Sequence, residues 1–462
     1  MFGYDPANVI LCSESAACSF WHPIVFSAIV LFIVITGFAY TTLLERKFIA
    51  FFQQRVGPNR VGPGGFLQPA ADGLKLIFKE DIIPEQAYKA VYYIAPILKA
   101  VPVLIVGAVI PWGPPVNIPW FDGNWYRIPL HLVDLNVGIL WILAITSIAT
   151  YGVVLAGWSS NNKYAMLGGL RASAQMISYE LSMGLTMAVP VMIVGSMSIG
   201  DIVAAQLDAP PILGWFVFQN PLAAGILMIA LLAEVSRSPF DLPEAEQELT
   251  QGFMTEYSAM RFALFMMAEY LGMIAVSMVA VSLYFGGWGL GGGFIENAPL
   301  LAPLVFIGKV ILFLIGMVWV RATLPRFRYD RLMMFGWKVM LPLSIVAVAW
   351  TGVAVVIGET ASTPVQYVIA SAVFVVIALI AGSLVLRRES TETPVRSLAN
   401  DPMVTGERTG IAHILVEVLG WIIAIPYSLF DKSVAGLTNT RKNVARELRD
   451  FATHYGKSES GD

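Results

Sequence analysis

Nine mostly apolar stretches divide this chain: residues 22–43, 91–111, 136–157, 173–195, 221–235, 262–285, 301–320, 334–357 and 365–386. A helix crosses a bilayer in about 20 apolar residues, so each stretch is read as a span. The fifth is short and can extend into the loop that follows. Between spans one and two, Phe66–Asp81 places Leu67, Ala70, Ala71, Leu74, Ile77 and Phe78 at helical spacing, with Lys75 and Lys79 elsewhere. That pattern predicts an amphipathic helix lying at the membrane interface. Residues 411–430 are also apolar but contain His413 and Glu417, which predicts a second interfacial helix, with a tenth span as the alternative. Arg441–Lys457 is charged and reads as a solvated helix or a disordered end. The fold class expected is an all-α polytopic membrane protein with about nine transmembrane helices and interfacial amphipathic helices.

Lys and Arg positions orient the spans. The connection 44–90 holds Arg46, Lys47, Arg55, Arg60, Lys75, Lys79 and Lys89, and the connection 321–333 holds Arg321, Arg326, Arg328 and Arg331. Lys163, Arg171, Arg237 and Arg261 add to the same side, while Arg127, in the Trp/Pro-rich loop 112–135, is alone on the other. Every second connection is basic. This puts the N-terminus outside and the C-terminus in the cytoplasm or matrix.

Composition agrees: 57% of residues are hydrophobic and 13% charged, against about 25% charged in soluble domains. No basic patch interleaved with aromatics points to nucleic acid. The two cysteines, Cys12 and Cys18, are too few for an iron–sulfur cluster; they either pair as a disulfide or stay as two thiols. There is no Gly-x-Gly-x-x-Gly after a strand and no Gly-Lys-Ser/Thr phosphate loop. The prolines of the glycine-rich stretch at 57–65 remove amides that a phosphate cradle needs. No flavin, NADH, iron–sulfur or metal site is expected in this chain. Residues 1–20 lack the positive region of a cleaved signal peptide.

The chemistry concentrates in carboxylates. From Glu234 to Glu256 the chain carries six acids (Glu234, Asp241, Glu244, Glu246, Glu248 and Glu256) and one base, Arg237. A solvated loop is the plain reading of an acidic run. Here Glu234 lies in the apolar run before the loop and Glu269 in the one after it. Acids that continue into the membrane on both sides favour a proton path. Asp241 can cap a short helix with Glu244 at its third position. Glu244 and Glu248 then repel one turn apart, which suits proton exchange near neutral pH. Glu180, about two turns inside span four, follows Gly168-Gly-Leu-Arg-Ala-Ser-Ala-Gln-Met-Ile-Ser-Tyr. It is either a neutral acid hydrogen-bonded to Ser or Tyr or a proton carrier, and burial suits both.

Two basic motifs remain. Glu45-Arg46-Lys47 leads to Gln53-Gln-Arg55-Val-Gly-Pro-Asn-Arg60. Its Gly-Pro turns fix a specific loop path beyond simple anchoring and could frame the mouth of a lipid-accessible pocket. Arg321-Ala-Thr-Leu-Pro-Arg326-Phe-Arg328-Tyr-Asp-Arg331 is a tight basic turn, read equally as a membrane anchor or a direct contact. Lys99 and Lys309 lie within spans and either snorkel or pair with an acid.

Together the stretches Glu45–Arg60, Gly169–Glu180, Ala233–Tyr257, Ala268–Tyr270 and Arg321–Arg331 closely resemble one family, in family order: the H-type membrane component (mitochondrial subunit 1 type) of respiratory complex I, NADH:quinone oxidoreductase. The resemblance implies a subunit without a redox centre that joins the redox arm to the proton-pumping membrane arm. Quinone is then the substrate, while FMN, NADH and clusters belong to other subunits. It implies a proton relay through Glu180, Glu234, Asp241, Glu244, Glu246, Glu248 and Glu269. It places Glu45, Arg46, Lys47, Arg55, Arg60, Arg237 and Phe240 at the quinone tunnel and its entrance. Arg321, Arg326 and Arg328 are implied to face the peripheral arm. The implied partners are quinone-site and iron–sulfur subunits of that arm, small and antiporter-like membrane subunits, and the lipid bilayer.

The family usually has eight spans. This chain therefore divides into a core at 1–360, an additional span at 361–386 and a cytoplasmic tail at 387–462, and the tail favours a bacterial plasma membrane. Two rivals stand beside this reading: the homologous subunit of a membrane-bound hydrogenase or a ferredoxin- or F420-linked complex, and a stand-alone proton-coupled transporter. The lack of a visible internal repeat counts against the second.

Overall fold

The computed structural model describes residues 9–12, 15–119, 124–207, 214–241, 250–290 and 299–359. All fall in the first of the chain's two units, Met1–Ala372. Glu244, Glu246, Glu248, the predicted span 365–386, the 411–430 helix and the charged end at 441–457 lie outside the described residues.

Among the described residues, seven helical segments are long and apolar enough to cross a membrane, and an eighth, Pro221–Glu234, is shorter. Helix α1 is Ala16–Phe52, 37 residues and so about 55 Å long, well beyond a hydrocarbon core of about 30 Å. It carries Glu45, Arg46 and Lys47 past the predicted boundary as continuous helix. The amphipathic helix α2, Gln68–Ile77, follows and buries no residue. Helix α3 is Lys89–Val106 and α4 is Gly138–Ser159. Helix α5 runs from Lys163 to Val194 and takes in residues 163–172 of the stretch predicted as a connection. Asn162 caps its start through Tyr164 N, and Gly195 ends it at φ 76, a left-handed position that glycine adopts at little cost. Two short helices, α6 (Ile199–Leu207) and α7 (Phe216–Gln219), lead into α8, Pro221–Glu234. Helix α9 is Ala259–Tyr284 and α10 is Ala302–Thr323. The last crossing among the described residues is built from α11 (Tyr329–Phe335), a π-helical turn at Gly336–Met340 and α12 (Leu341–Glu359).

The loop predicted at 112–135 is instead largely a small sheet. Strand β1 (Val9–Leu11) lies parallel to β3 (Trp125–Leu130), and β2 (Gly113–Pro119) pairs antiparallel with β3. Its prolines conceal the strands in sequence: Pro114 and Pro115 fall at the register break between Gly113 and Val116, where a ladder needs no amide. A disulfide joins Cys12 to Cys18, resolving the two alternatives and tying β1 to the first turns of α1.

The main core cluster includes Tyr179, Met183 and Met187 of α5, Leu227 of α8, Ile274 of α9 and Phe306 of α10. Lipid offers no partner to backbone or hydroxyl groups, and several buried hydroxyls bond within their own helices, as Ser277 Oγ does to the Met273 carbonyl at 2.6 Å. Lys309 meets no acid among the described residues. Its ammonium donates to the carbonyls of Phe285 at 2.7 Å, Gly287 at 3.0 Å and Gly289. A cation there complements the negative C-terminal end of α9.

Small residues let the helices touch. A Cβ on Gly168 would stand 2.6 Å from Gly252 Cα and 2.8 Å from Phe253 N, both backbone atoms. Gly168→Val is therefore expected to lower stability by roughly 2 kcal/mol or more, read as an earlier thermal transition of the purified particle. An unchanged transition would show that the 250–254 segment yields freely.

Candidate functional site

Helix α8 has 14 residues and spans only about 21 Å, so it ends short of a full crossing. Its last residue is Glu234. The turn that follows, 235–241, is almost wholly buried in protein, the condition under which irregular backbone is tolerated at membrane depth. Where α3, α4, α5, α8 and α9 meet lies a cavity of about 50 Å³, with room for a few water molecules. Lys99, Glu234 and Glu269 are its charged lining residues and Thr146 its hydroxyl; the rest, from Val103 and Ile142 to Met183 and Val279, are apolar or glycine.

One buried Glu234 carboxylate oxygen accepts no hydrogen bond from the described residues. A buried acceptor left that way is uncommon in folded proteins. Glu269 pairs with Arg237 at 3.5 Å, both buried, and the Arg237 guanidinium stacks over the Tyr270 ring at 4.2 Å. Glu180, half-buried on α5, accepts a hydrogen bond from Ser147 Oγ of α4. Glu234 lies within electrostatic reach of Lys99 and of Glu180. The three intramembrane acids picked out in sequence are thus placed by neighbouring helices around one region.

The start of the acidic loop is pinned. Gln175 Nε2 donates to the carbonyls of Ala233 and Phe240, each at 2.9 Å. Phe240 stacks on Phe327 with ring centroids 5.8 Å apart and lies 5.8 Å from Tyr179. Phe327 N donates to the Pro239 carbonyl at 3.1 Å. Asp241 meets Arg326 at 2.7 Å. The basic turn at 321–331 is therefore docked on the loop's first residues.

The end of the loop is pinned as well. Tyr257 stacks on Tyr92 at 4.2 Å and 5°, and Tyr92 Oη donates to the Glu256 carbonyl at 2.5 Å. Burial pushes the Tyr257 phenol up to about 12, against smaller opposing effects of Ser159 and Arg261, so it stays neutral. Arg261 lies over the rings of Tyr92 and Tyr93, at 5.0 and 4.9 Å, and its Nε donates to Asp81 at 3.1 Å. Asp81 also accepts from Ser258 Oγ. Arg261→Ala is expected to loosen this clamp by about 1–2 kcal/mol, the order of a desolvated cation–π contact. Faster proteolysis within 250–258 in the intact particle would report it; wild-type cleavage would assign the clamp no holding role.

At the basic loop, Glu45 is buried and pairs with Arg321 of α10. Arg46 meets Asp72 of α2 at 2.7 Å. Lys47 donates to the Gly64 carbonyl at 2.7 Å and lies over Phe66. Arg55 bonds Gln53, and Arg60 is exposed. Arg237 sits with Glu269 and Tyr270, and Phe240 with Tyr179 and Phe327. Arg328 is exposed, 3.5 Å from Asp330. Sequence reading passed over Ser147, Asp81 and Tyr92; nothing in their local sequence marks them. Gln175 and Tyr257 stood inside motifs without a role. Among the described residues, no group of three or more His, Cys, Asp or Glu is placed to hold a metal ion.

The fold and these acids define an all-α polytopic membrane protein with carboxylates gathered inside its helix bundle. The chain belongs to the NADH dehydrogenase family, which residues 25–352 match. Its relatives include H-type subunits of NADH-quinone oxidoreductase, a complex I enzyme, from several bacteria. One from Geobacter sulfurreducens is 48% identical over 326 residues, 70% of this chain and 94% of that protein. One from Cytophaga hutchinsonii is 45% identical over 325 residues, 69% and 92% of the two chains. One from Protochlamydia amoebophila is 47% identical over 311 residues, 67% and 90%.

Proposed function

We propose that this chain is the membrane subunit that couples quinone reduction to proton translocation in a bacterial NADH:quinone oxidoreductase. In this reading quinone enters from lipid behind the 44–90 connection, past Glu45, Arg46, Lys47, Arg55 and Arg60, and is reduced near the inner end by a cluster in a partner subunit. The new charge is felt by the acidic loop, Asp241, Glu244, Glu246 and Glu248, with Arg237 and Phe240 at its root. Glu234, Glu180 and Glu269 carry the change into the membrane. Arg321, Arg326 and Arg328 mark the face toward the peripheral arm, and the N-terminus lies outside. Quinone-site, iron–sulfur, small membrane and antiporter-like subunits complete the assembly and hold NADH, FMN and clusters. Residues 361–462 add a further span and a cytoplasmic tail.

The observation that carries the reading is the buried Glu234 at the end of a short helix, in one cavity with Glu269 and within reach of Glu180. A buried acid in a bilayer is costly and is a functional candidate for that reason. The two pinned ends of the acidic loop support a coupling role: a change there reaches α5, α8 and the basic turn through direct contacts. The test is extraction from the native membrane in mild detergent. A large particle with flavin, iron–sulfur subunits and inhibitor-sensitive NADH:quinone reduction is expected. A particle with a hydrogenase subunit, or a chain migrating alone where large assemblies survive, would contradict it.

A further inference from the structure

Two acids and one lysine line the cavity, and the lysine has no role in the relay described above. Lys99 lies mid-helix in α3, an apolar span, with 8% of its surface exposed. A lysine at that depth costs about 2.5–3.5 kcal/mol on insertion scales, and its long stem often lets the head group reach the interface. Here it does not. The backbone at Lys99 is pressed against α4: a Cβ on Gly152 would stand 2.7 Å from Lys99 N and 3.0 Å from the Ala95 carbonyl. With the backbone held there, the ammonium comes to 3.9 Å from the Met176 thioether of α5 and lines the cavity.

The charges facing this cavity sort themselves. Glu269 of α9 has Arg237 at 3.5 Å. Glu180 of α5 has the Ser147 hydroxyl of α4. Glu234 of α8 has Lys99 as the cation within electrostatic reach. Thr146 is the remaining polar group of the lining.

Resting on the relay reading, we infer that Lys99 is a positioning residue of that relay, the fixed counter-charge for the carboxylate Glu234 becomes when it hands on its proton. The proton moves from the Glu234 carboxyl to the next acid's carboxylate, leaving the negative charge on Glu234. Lys99 keeps its own proton throughout. Without it that charge would form in a small, largely apolar space, where an unpaired carboxylate is strongly disfavoured. With it, the ion pair is already assembled when the proton leaves.

The test compares Lys99→Met, Lys99→Gln, Lys99→Arg, Glu234→Gln and the Lys99→Met/Glu234→Gln double variant in the native complex. Inhibitor-sensitive NADH:quinone turnover is read against NADH oxidation by an artificial acceptor and the yield of assembled particle. Both neutral variants are expected to lose about ten-fold or more in quinone turnover with acceptor activity and yield intact, and Lys99→Arg to recover most of it. The double variant is expected to be no slower than Glu234→Gln, because the counter-charge has nothing left to serve. Wild-type turnover in both neutral variants overturns the inference, as does a failure of Lys99→Arg to recover. Loss of assembly in both neutral variants that Lys99→Arg repairs also overturns it, by making Lys99 structural. If Glu234→Gln itself turns over at the wild-type rate, the relay reading falls and this inference with it. If Glu234→Gln is slow while Lys99→Met is not, this inference alone falls.

Discussion

Glu234→Gln is expected to cut inhibitor-sensitive NADH:quinone turnover about a hundred-fold in the assembled complex, the low end for removing a group that transfers a proton. NADH oxidation by an artificial acceptor is expected to stay intact, because in the proposed assembly electrons enter through other subunits. Glutamine keeps the shape of the buried side chain and removes its proton. Glu234 already has a buried oxygen that accepts no hydrogen bond from the described residues, so the amide is tolerated in packing. Measuring both activities on one preparation separates coupling from assembly. Wild-type coupled turnover would remove Glu234 from the relay.

The second large effect is expected at Arg321. Its guanidinium joins the end of α10 to Glu45 of α1, and the Glu45 side chain is only 5% exposed. Arg321→Ala strands a buried carboxylate, and breaking such a pair from one side costs roughly 3 kcal/mol. The particle should lose its thermal stability and lose this chain first on mild heating. The Glu45→Gln/Arg321→Gln pair of substitutions removes both charges and is expected to recover much of the loss. If Arg321→Ala melts as wild type, Glu45 has another source of compensation.

The crossings of this bundle were legible because lipid demands long apolar runs, and Lys and Arg punctuate them. Their ends were less so. Helix α1 continues through Glu45, Arg46 and Lys47, and α5 begins at Lys163, because a helix does not stop where the bilayer does. The sheet at 113–130 was hidden by prolines that strands normally exclude. Glu180, Glu234 and Glu269 stood out as acids in apolar runs, a pattern too costly to be incidental. Side-chain partners far apart in the sequence did not. Arg261 and Asp81 are 180 residues apart, and only the helix packing brings them together. Arg237 stood out in sequence as the one base of the acidic stretch, and only the structure shows it against Glu269 and Tyr270. Lys99 was visible as a lysine in a span, and only the Gly152 contact shows how its backbone is held.

The decisive measurement is NADH-driven proton uptake by inside-out membrane vesicles from a strain lacking this chain, before and after the chain is supplied back. Inhibitor-sensitive uptake should be absent without the chain, return with it, and fail to return with Glu234→Gln. Undiminished proton uptake and NADH:quinone turnover in vesicles that lack the chain would contradict a coupling role outright.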